Sequence, residues 1–331
     1  MDIQGMERVI MTADTDKIVI GVDVGGTTTT AGLIDSGLNV LESSERQTDT
    51  SSQQALLSSL QDTVRDLAAA LDGPVAAVGF GIPSMIDQSR GRTVMSVNVP
   101  LADLDFVQYM RRRLDMPVFI DNDANVAALA EARAGAARGA RHMVMVTLGT
   151  GIGGGIIIDG RVYRGATGSA AELGHMVIDA NGPQCPGACP NYGCFEAMAS
   201  GPALTRYARE AATANPGSPL GQAAAAGEKL DGALVQRLAD GGDRVSGDVF
   251  DRLGFYLGVG MTSLVNIFNP EYFIVGGGVM RAGGLVLEPA LEVLRTRGLK
   301  PNRDIVQVKA ARFGPEAGML GAACLALESM E

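Results

Sequence analysis

Two stretches of this chain repeat one pattern. "IVIGVDVGGTTTTAGLIDSG" starts at Ile18 and "MVMVTLGTGIGGGIIIDGRVYRG" at Met143. Each reads as an apolar strand, a glycine turn, a second strand and a second turn. Because strand follows turn, the opening is a meander, unlike the strand–turn–helix of a dinucleotide fold. Helical spacing follows the first copy over Ser51–Leu71. Two βββ-type openings followed by helices predict a duplicated α/β domain with a cleft between the copies.

The segments between fit that plan. "VAAVGFGIP", Val75 to Pro83, reads as a strand ending in a loop, and "LADLDFVQYMRRRLD" as a helix. "MPVFIDND" reads as a short strand and "ANVAALAEARAGAARGA" as an alanine-rich helix. Leu204–Arg244 is expected to be a helical lid or surface. "EYFIVGGGVMRAGG" is a third strand and glycine turn, and "GPEAGMLGAACLALESM" a closing helix. No low-complexity linker separates the parts, so two closely packed lobes are expected.

Composition narrows the function classes. The chain has 331 residues, 46% hydrophobic and 19% charged, a globular balance. Its formal charge of −10 argues against a nucleic-acid partner. No apolar run is long enough to span a bilayer. The start, "MDIQGMERVIMTADTDK", lacks a secretory pattern, so a cytoplasmic location is expected. Thiols stay reduced there, so the four cysteines point to metal or chemistry before disulfides. None of the four lysines falls in a glycine loop. Any phosphate must then be held by backbone N–H groups, hydroxyls and metal.

Three glycine turns are candidates for that task. The first is Asp23-Val24-Gly25-Gly26-Thr27: glycines admit a phosphate close to the backbone, threonine adds a hydroxyl, and Asp23 could hold magnesium through water. An ordinary hairpin is the alternative. The second runs from Leu148 through Gly149, Thr150, Gly151, Ile152 and Gly153 to Gly154; so much glycine weakens a plain hairpin and suggests a ligand against the backbone. The third, Gly276-Gly277-Gly278, follows a very apolar strand, where a flat adenine or ribose could sit.

Between the first two turns lies "FIDNDANVA", Phe119 to Ala127. Asp123, preceded by Asn122, stands at a strand-to-helix junction. Either residue could simply cap the helix. The functional alternative is that Asp123 accepts a proton from a substrate hydroxyl. Phosphoryl transfer needs alignment, charge neutralisation and one residue that orients the nucleophile.

"GHMVIDANGPQCPGACPNYGCFE", Gly174 to Glu196, holds three of the four cysteines and one of the two histidines. One imidazole and three thiolates make the closed tetrahedral set of structural zinc. Buried small apolar cysteines are the alternative, but three within ten residues among Pro, Gly and Asn do not form a core stripe. Cys324, in the apolar closing helix, reads as core.

In order, "IGVDVGGTTTTAGLID", "GFGIPSMID", "FIDNDANVAAL", "VTLGTGIGGG", "AAELGHMVID", "CPNYGCFE" and "FIVGGGV" resemble the ROK family (repressor, open reading frame, kinase) of the hexokinase–actin–Hsp70 ATPase superfamily, from about Lys17 to Glu331. The resemblance implies a two-lobed ribonuclease-H-like α/β fold. Residues 1–122 with a C-terminal helix at about 314–331 would form the smaller lobe. Residues 123–313, with a zinc-binding loop over 175–194, would form the larger. It implies ATP- and magnesium-dependent phosphorylation of a hexose at its 6-hydroxyl, most often glucose. Another hexose is the alternative: N-acetylglucosamine, N-acetylmannosamine, mannose, fructose or allose. A non-catalytic sugar sensor is a further one.

The same resemblance makes Asp123 the general base, with Asn122 beside it on the sugar. Glu172, His175 and Glu196 would bind ring hydroxyls. His175, Cys185, Cys189 and Cys194 would hold structural zinc. Ser84 and Asn98 belong to loops expected around the sugar. Nucleotide contacts fall on Asp23, Gly25, Gly26, Thr27 and Thr28, on Thr150, Gly151 and Gly153, and on Gly277 and Gly278. Two departures stand out. Cys185 and Cys189 are spaced C-x-x-x-C where C-x-C is common, which makes Cys185 the least secure ligand. Thr28 replaces a common lysine, which leaves the phosphates to amides, hydroxyls and magnesium. A homodimer or homotetramer is expected by family analogy. Repressors of the family carry a helix-turn-helix domain ahead of the kinase-like part; only about sixteen residues precede the first strand here, so the enzyme is expected.

Overall fold

The structure, a computed structural model, describes residues 17–96 and 98–330. The expectation about a secretory segment falls largely on residues 1–16, outside the described residues. The first half runs β1 (Val19–Val24), β2 (Thr28–Ile34), β3 (Val40–Gln47), α1 (Gln53–Ala70), β4 (Ala77–Ile82), β5 (Ser84–Asp87), β6 (Arg92–Ser96), β7 (Ala102–Leu104), α2 (Phe106–Leu114), β8 (Val118–Asn122) and α3 (Asp123–Arg133). The second half runs β9 (Met143–Leu148), β10 (Ile152–Ile158), β11 (Arg161–Val162), α4 (Phe195–Ala199), α5 (Gly201–Ala214), α6 (Pro219–Ala225), α7 (Gly232–Asp240), α8 (Arg244–Phe268), β12 (Tyr272–Gly276), α9 (Gly284–Arg297), α10 (Asn302–Ile305), β13 (Gln307–Ala310) and α11 (Ala317–Glu328).

The repeat seen in the sequence is a repeat of topology. One five-stranded sheet has the order β3-β2-β1-β4-β8 and the other β11-β10-β9-β12-β13. β1 is antiparallel to β2 and parallel to β4; β9 stands the same way to β10 and β12. The glycine turns therefore occupy matching places, between the first two strands of each sheet and after β12.

The central strands are buried along nearly their whole length, because helices cover both faces of each sheet. α11 has ten buried residues and almost no polar face, since it is clamped between α3 and the first sheet. Glycine makes that clamp possible. A methyl group on Gly21 of β1 would overlap the Met319 carbonyl, and one on Gly79 of β4 the Ala322 carbonyl. Gly321 of α11 lies equally close to the Val126 carbonyl of α3. α3 continues directly from the first sheet and packs on β10 of the second, so its first residues stand where the two halves meet.

Three readings of local structure need correcting. The alanine-rich helix ends at Arg133 and gives way to turns rather than running on to Ala140. "LADLDFVQYMRRRLD" is not wholly helical: Ala102–Leu104 is a strand that pairs with β6, completing a small sheet β5-β6-β7. The Leu204–Arg244 stretch is helical but is more than lid or surface. Leu204, Tyr207, Leu220, Leu234 and Val235 are buried in the same core as α8. Among the described residues, no helix is long and apolar enough to cross a membrane.

Candidate active site

Asn122 ends β8 and caps α3: its Oδ1 accepts Ala124 N–H at 2.9 Å and Asn125 N–H at 3.4 Å. Asp123 is therefore the first helical residue rather than the cap, and its Oδ1 accepts Ala124 N–H at 2.9 Å. Asn122 Nδ2 points to the Ser84 carbonyl at 3.5 Å. Behind this pair sits Asp121, only 1% exposed. Its Oδ1 accepts Asn122 N–H at 2.8 Å and Asn125 Nδ2 at 3.0 Å, while Oδ2 takes Arg164 Nε at 2.7 Å and Nη2 at 2.6 Å. Arg164 belongs to the segment after β11, so this charged pair links the second sheet's loops to the strand that presents Asp123.

The sugar-side residues of the sequence reading converge. Ser84, Asn98, Asn122, Asp123, Glu172, His175 and Glu196 all line one cavity of about 360 Å³. Thr150, Gly151, Gly153 and Gly277 border the same cavity. Met85, Met95, Ala170 and Ala171 also line it and were not singled out from sequence: Met85, Ala170 and Ala171 sit within quoted motifs but carry no polar side-chain group, and Met95 lies in none of them. Ser84 is buried and its hydroxyl donates to the Met95 carbonyl at 3.0 Å, so that proton serves the β5–β6 hairpin.

A second cavity, of about 700 Å³, shares Gly149 and Thr150 with the first and is bordered by Gly201, Phe250, Gly278 and Val279. Its walls are largely apolar side chains and backbone, suited to a flat ring. The first turn is closed by Gly25 N–H donating to the Thr28 carbonyl at 2.9 Å and braced from outside by Thr48, whose Oγ1 donates to the Gly25 carbonyl at 2.8 Å. Thr48 N–H also donates to the Thr27 carbonyl at 2.9 Å. A methyl group on Gly26 would meet the Asn98 carbonyl at 3.4 Å, so this turn borders the sugar-side loop. Gly277 has φ +89 and would clash with the Leu148 backbone if it carried a side chain.

The cleft is crowded with carboxyl groups. Burial raises Asp123 above the usual aspartate range, and the Glu172 charge adds to it. Loss of solvent also raises Glu172, with Glu196 adding repulsion. Asp23 is pushed up to about 7, first by burial and then by the charge of Asp123. Ionised carboxylates only accept hydrogen bonds, so this lining suits a ligand rich in hydroxyl donors. A cation between Asp23 and the phosphate turns would relieve the repulsion, which is the chemistry expected of a magnesium site.

His175, Cys185, Cys189 and Cys194 come together, with their ligand atoms all within 4.8 Å of one another. Cys185 Sγ lies 3.5 Å from His175 Nδ1, and Cys189 Sγ 3.9 Å from Cys194 Sγ. These are edge lengths of a tetrahedron with metal–sulfur bonds of about 2.3 Å. The longer spacer before Cys189 is absorbed by a turn with Gly187 at φ +67. The loop is held by Cys185 N–H to the Asn191 carbonyl at 2.8 Å and by a bridge between Val177 and Cys194. The four donors fit a structural zinc ion. Cys324 is apart from them, buried in α11.

Glu196, in the first turn of α4, carries a contact that no motif foretold: its Oε2 accepts Ile152 N–H at 2.7 Å. The end of the cysteine loop is thereby joined to the second glycine turn. Comparison with known proteins agrees with this architecture. The chain is 35% identical to the glucokinase of Streptomyces coelicolor over 317 residues, 94% of this chain and 98% of that protein. It also resembles the crystal structure of a ROK family glucokinase from Streptomyces griseus in complex with glucose and AMPPNP, at 36% identity and TM-score 0.79, covering 94% of this chain and 99% of that one. A ROK hexokinase structure from Thermus thermophilus matches at 32% identity and TM-score 0.78, covering 95% and 99%. The ROK family profile matches residues 19–329, and the chain belongs to the ROK family.

Proposed function

We propose that this protein is a glucokinase, transferring the γ-phosphoryl group of ATP to the 6-hydroxyl of glucose. The observation that carries this reading is the single cavity lined by Asp123, Asn122, Glu172, His175 and Glu196 and floored by the second glycine turn. Support comes from the glucokinases it resembles, one of them solved with glucose and an ATP analogue.

Glucose lies in the smaller cavity with its hydroxyls donating to Glu172 and Glu196. His175 offers Nε2 to the sugar while Nδ1 faces the thiolates, which fixes its tautomer. Asp123 accepts the proton of the 6-hydroxyl as that oxygen attacks the γ-phosphorus, and ADP leaves along the same line. Amides of Gly26, Thr27 and Gly151 and the hydroxyls of Thr28 and Thr150 hold the phosphates, while Gly25 and Gly153 keep the backbone beside them free of side chains. Gly277 and Gly278 border the base and ribose in the larger cavity. Magnesium, when bound near Asp23, neutralises phosphate charge. Zinc, when bound by His175, Cys185, Cys189 and Cys194, fixes the loop that carries the sugar-binding acids.

The lobes of this reading are residues up to 122 with the helix from about 314, and residues 123–313. They close over the sugar about α3 and α11, excluding water. The protein works in the cytoplasm, where ATP is present and thiols stay reduced, as a homodimer or homotetramer by analogy with the family. A coupled ADP-release assay over a hexose panel, run with ATP and with polyphosphate, tests the assignment. Glucose with ATP should give the highest kcat/KM; activity confined to N-acetylated sugars would overturn the choice of glucose.

A further inference from the structure

A cavity of about 440 Å³ lies behind the catalytic strand, away from the sugar-side lining. Three guanidinium groups line it: Arg90 from the β5–β6 turn, Arg111 from α2, and Arg164 from the segment after β11. Gln88 and Ser329 add polar groups. Among the described residues no carboxylate lines it, although the chain as a whole has a formal charge of −10.

The charges of these arginines are incompletely matched. Arg111 donates to the Val118 carbonyl at 3.3 Å and lies 5.9 Å from the Phe119 ring centre; neither partner is an anion. Arg90 approaches Asp87 only to 3.8 Å, and Asp87 Oδ1 already accepts the Ser89 N–H and hydroxyl at 3.0 and 2.6 Å. Arg164 gives its Nε–Nη2 edge to Asp121, which leaves the Nη1 edge outside that pair. Three cations around a polar hollow, without a lining acid, make a site for a multiply charged anion. Planar guanidinium forks favour phosphoryl oxygens.

We propose that this cavity binds a phosphoryl dianion, from inorganic phosphate or a phosphorylated sugar, and that the occupant lowers turnover. The link to chemistry is Arg164. An anion on its Nη1 edge competes with Asp121 for the same guanidinium, and Asp121 holds the Asn122 amide and Asn125, next to Asp123. The effect on turnover rests on the kinase reading above; the binding does not.

The two are separated by measuring binding on the zinc-loaded Asp123→Asn protein and turnover on the zinc-loaded wild type. Calorimetric titration with inorganic phosphate and, separately, with glucose 6-phosphate is made with glucose and a non-hydrolysable ATP analogue filling the cleft. Arg90→Gln, Arg111→Gln and the double substitution are introduced in each background. Each single substitution should weaken phosphoryl binding about tenfold, the scale of one lost charge-assisted hydrogen bond. In the wild-type background they should leave uninhibited kcat within about twofold, and inhibition should fade in step with binding. The more tightly bound of the two probes identifies the source of the phosphoryl group. Arg90→Gln lies at the surface and keeps the test open should Arg111→Gln lose stability. Absence of binding by both probes, or binding unchanged in the double variant, would overturn the proposal. Binding without inhibition would overturn its regulatory half.

Discussion

Ile152 N–H donates to Glu196 Oε2 at 2.7 Å, so the second glycine turn is fastened to α4, the helix that follows Cys194. One carboxylate thus faces the sugar cavity and braces a phosphate turn at once. Glu196→Ala should raise the KM for glucose and also lower kcat. A lost hydrogen bond to a charged acceptor corresponds to about 2 kcal/mol, or about thirtyfold in kcat/KM. Glu196→Gln should keep the brace and lose mainly the sugar contact. Steady-state kinetics on both variants checks the split; a pure KM effect in Glu196→Ala would count against the bracing role.

The same contact sharpens what metal removal should do. Chelation or Cys194→Ser releases the loop that ends in Glu196, so glucose binding should be abolished. Nucleotide binding should weaken only in part, since the turn keeps its own strand pairing. Calorimetric titrations with glucose and with an ATP analogue measure both. Equal loss of the two ligands would mean that the metal holds the whole fold.

pH should act through the carboxyl cluster. Asp23 rises from an ordinary 3.8 to about 7, so the folded protein binds a proton there that the unfolded chain has released. Its contribution to stability is present below about pH 4 and is lost as pH rises through 7. Asp23→Asn should therefore stabilise the ligand-free protein at pH 8, by on the order of 2 kcal/mol after discounting for partial exposure, while lowering activity. Thermal unfolding at pH 5 and pH 8 tests this: the gain from the substitution should be larger at pH 8. Turnover should fall on acidification, because Asp123, itself raised, must be ionised to accept a proton.

Arg164 supplies the charge that lets Asp121 stay buried. Arg164→Ala strands that carboxylate and should cost about 3 kcal/mol of stability. Denaturant unfolding measures it. A change within about 0.5 kcal/mol, as for an ordinary surface substitution, would contradict the role given to the pair.

Local patterns in the sequence revealed the parts that depend on neighbours in the chain. The glycine turns, the duplicated sheets and the histidine–cysteine loop all announce themselves within a few residues. What escaped depends on distance. Arg164 meets Asp121 across 43 positions and Ile152 meets Glu196 across 44, and neither pair has a local signature. β7 hid because Ala102–Leu104 is short and runs into an apolar helical pattern, while its partner β6 decides its conformation. The capping of α3 was ambiguous between Asn122 and Asp123 until the hydrogen bonds assigned it to Asn122.

The central claim is that Asp123 accepts the proton of the sugar hydroxyl. ADP release with saturating glucose and ATP, compared between wild type and Asp123→Asn, tests it most directly. The expected result is a fall in kcat of about 10²- to 10⁴-fold with glucose still bound. Equal rates in the two proteins would contradict it.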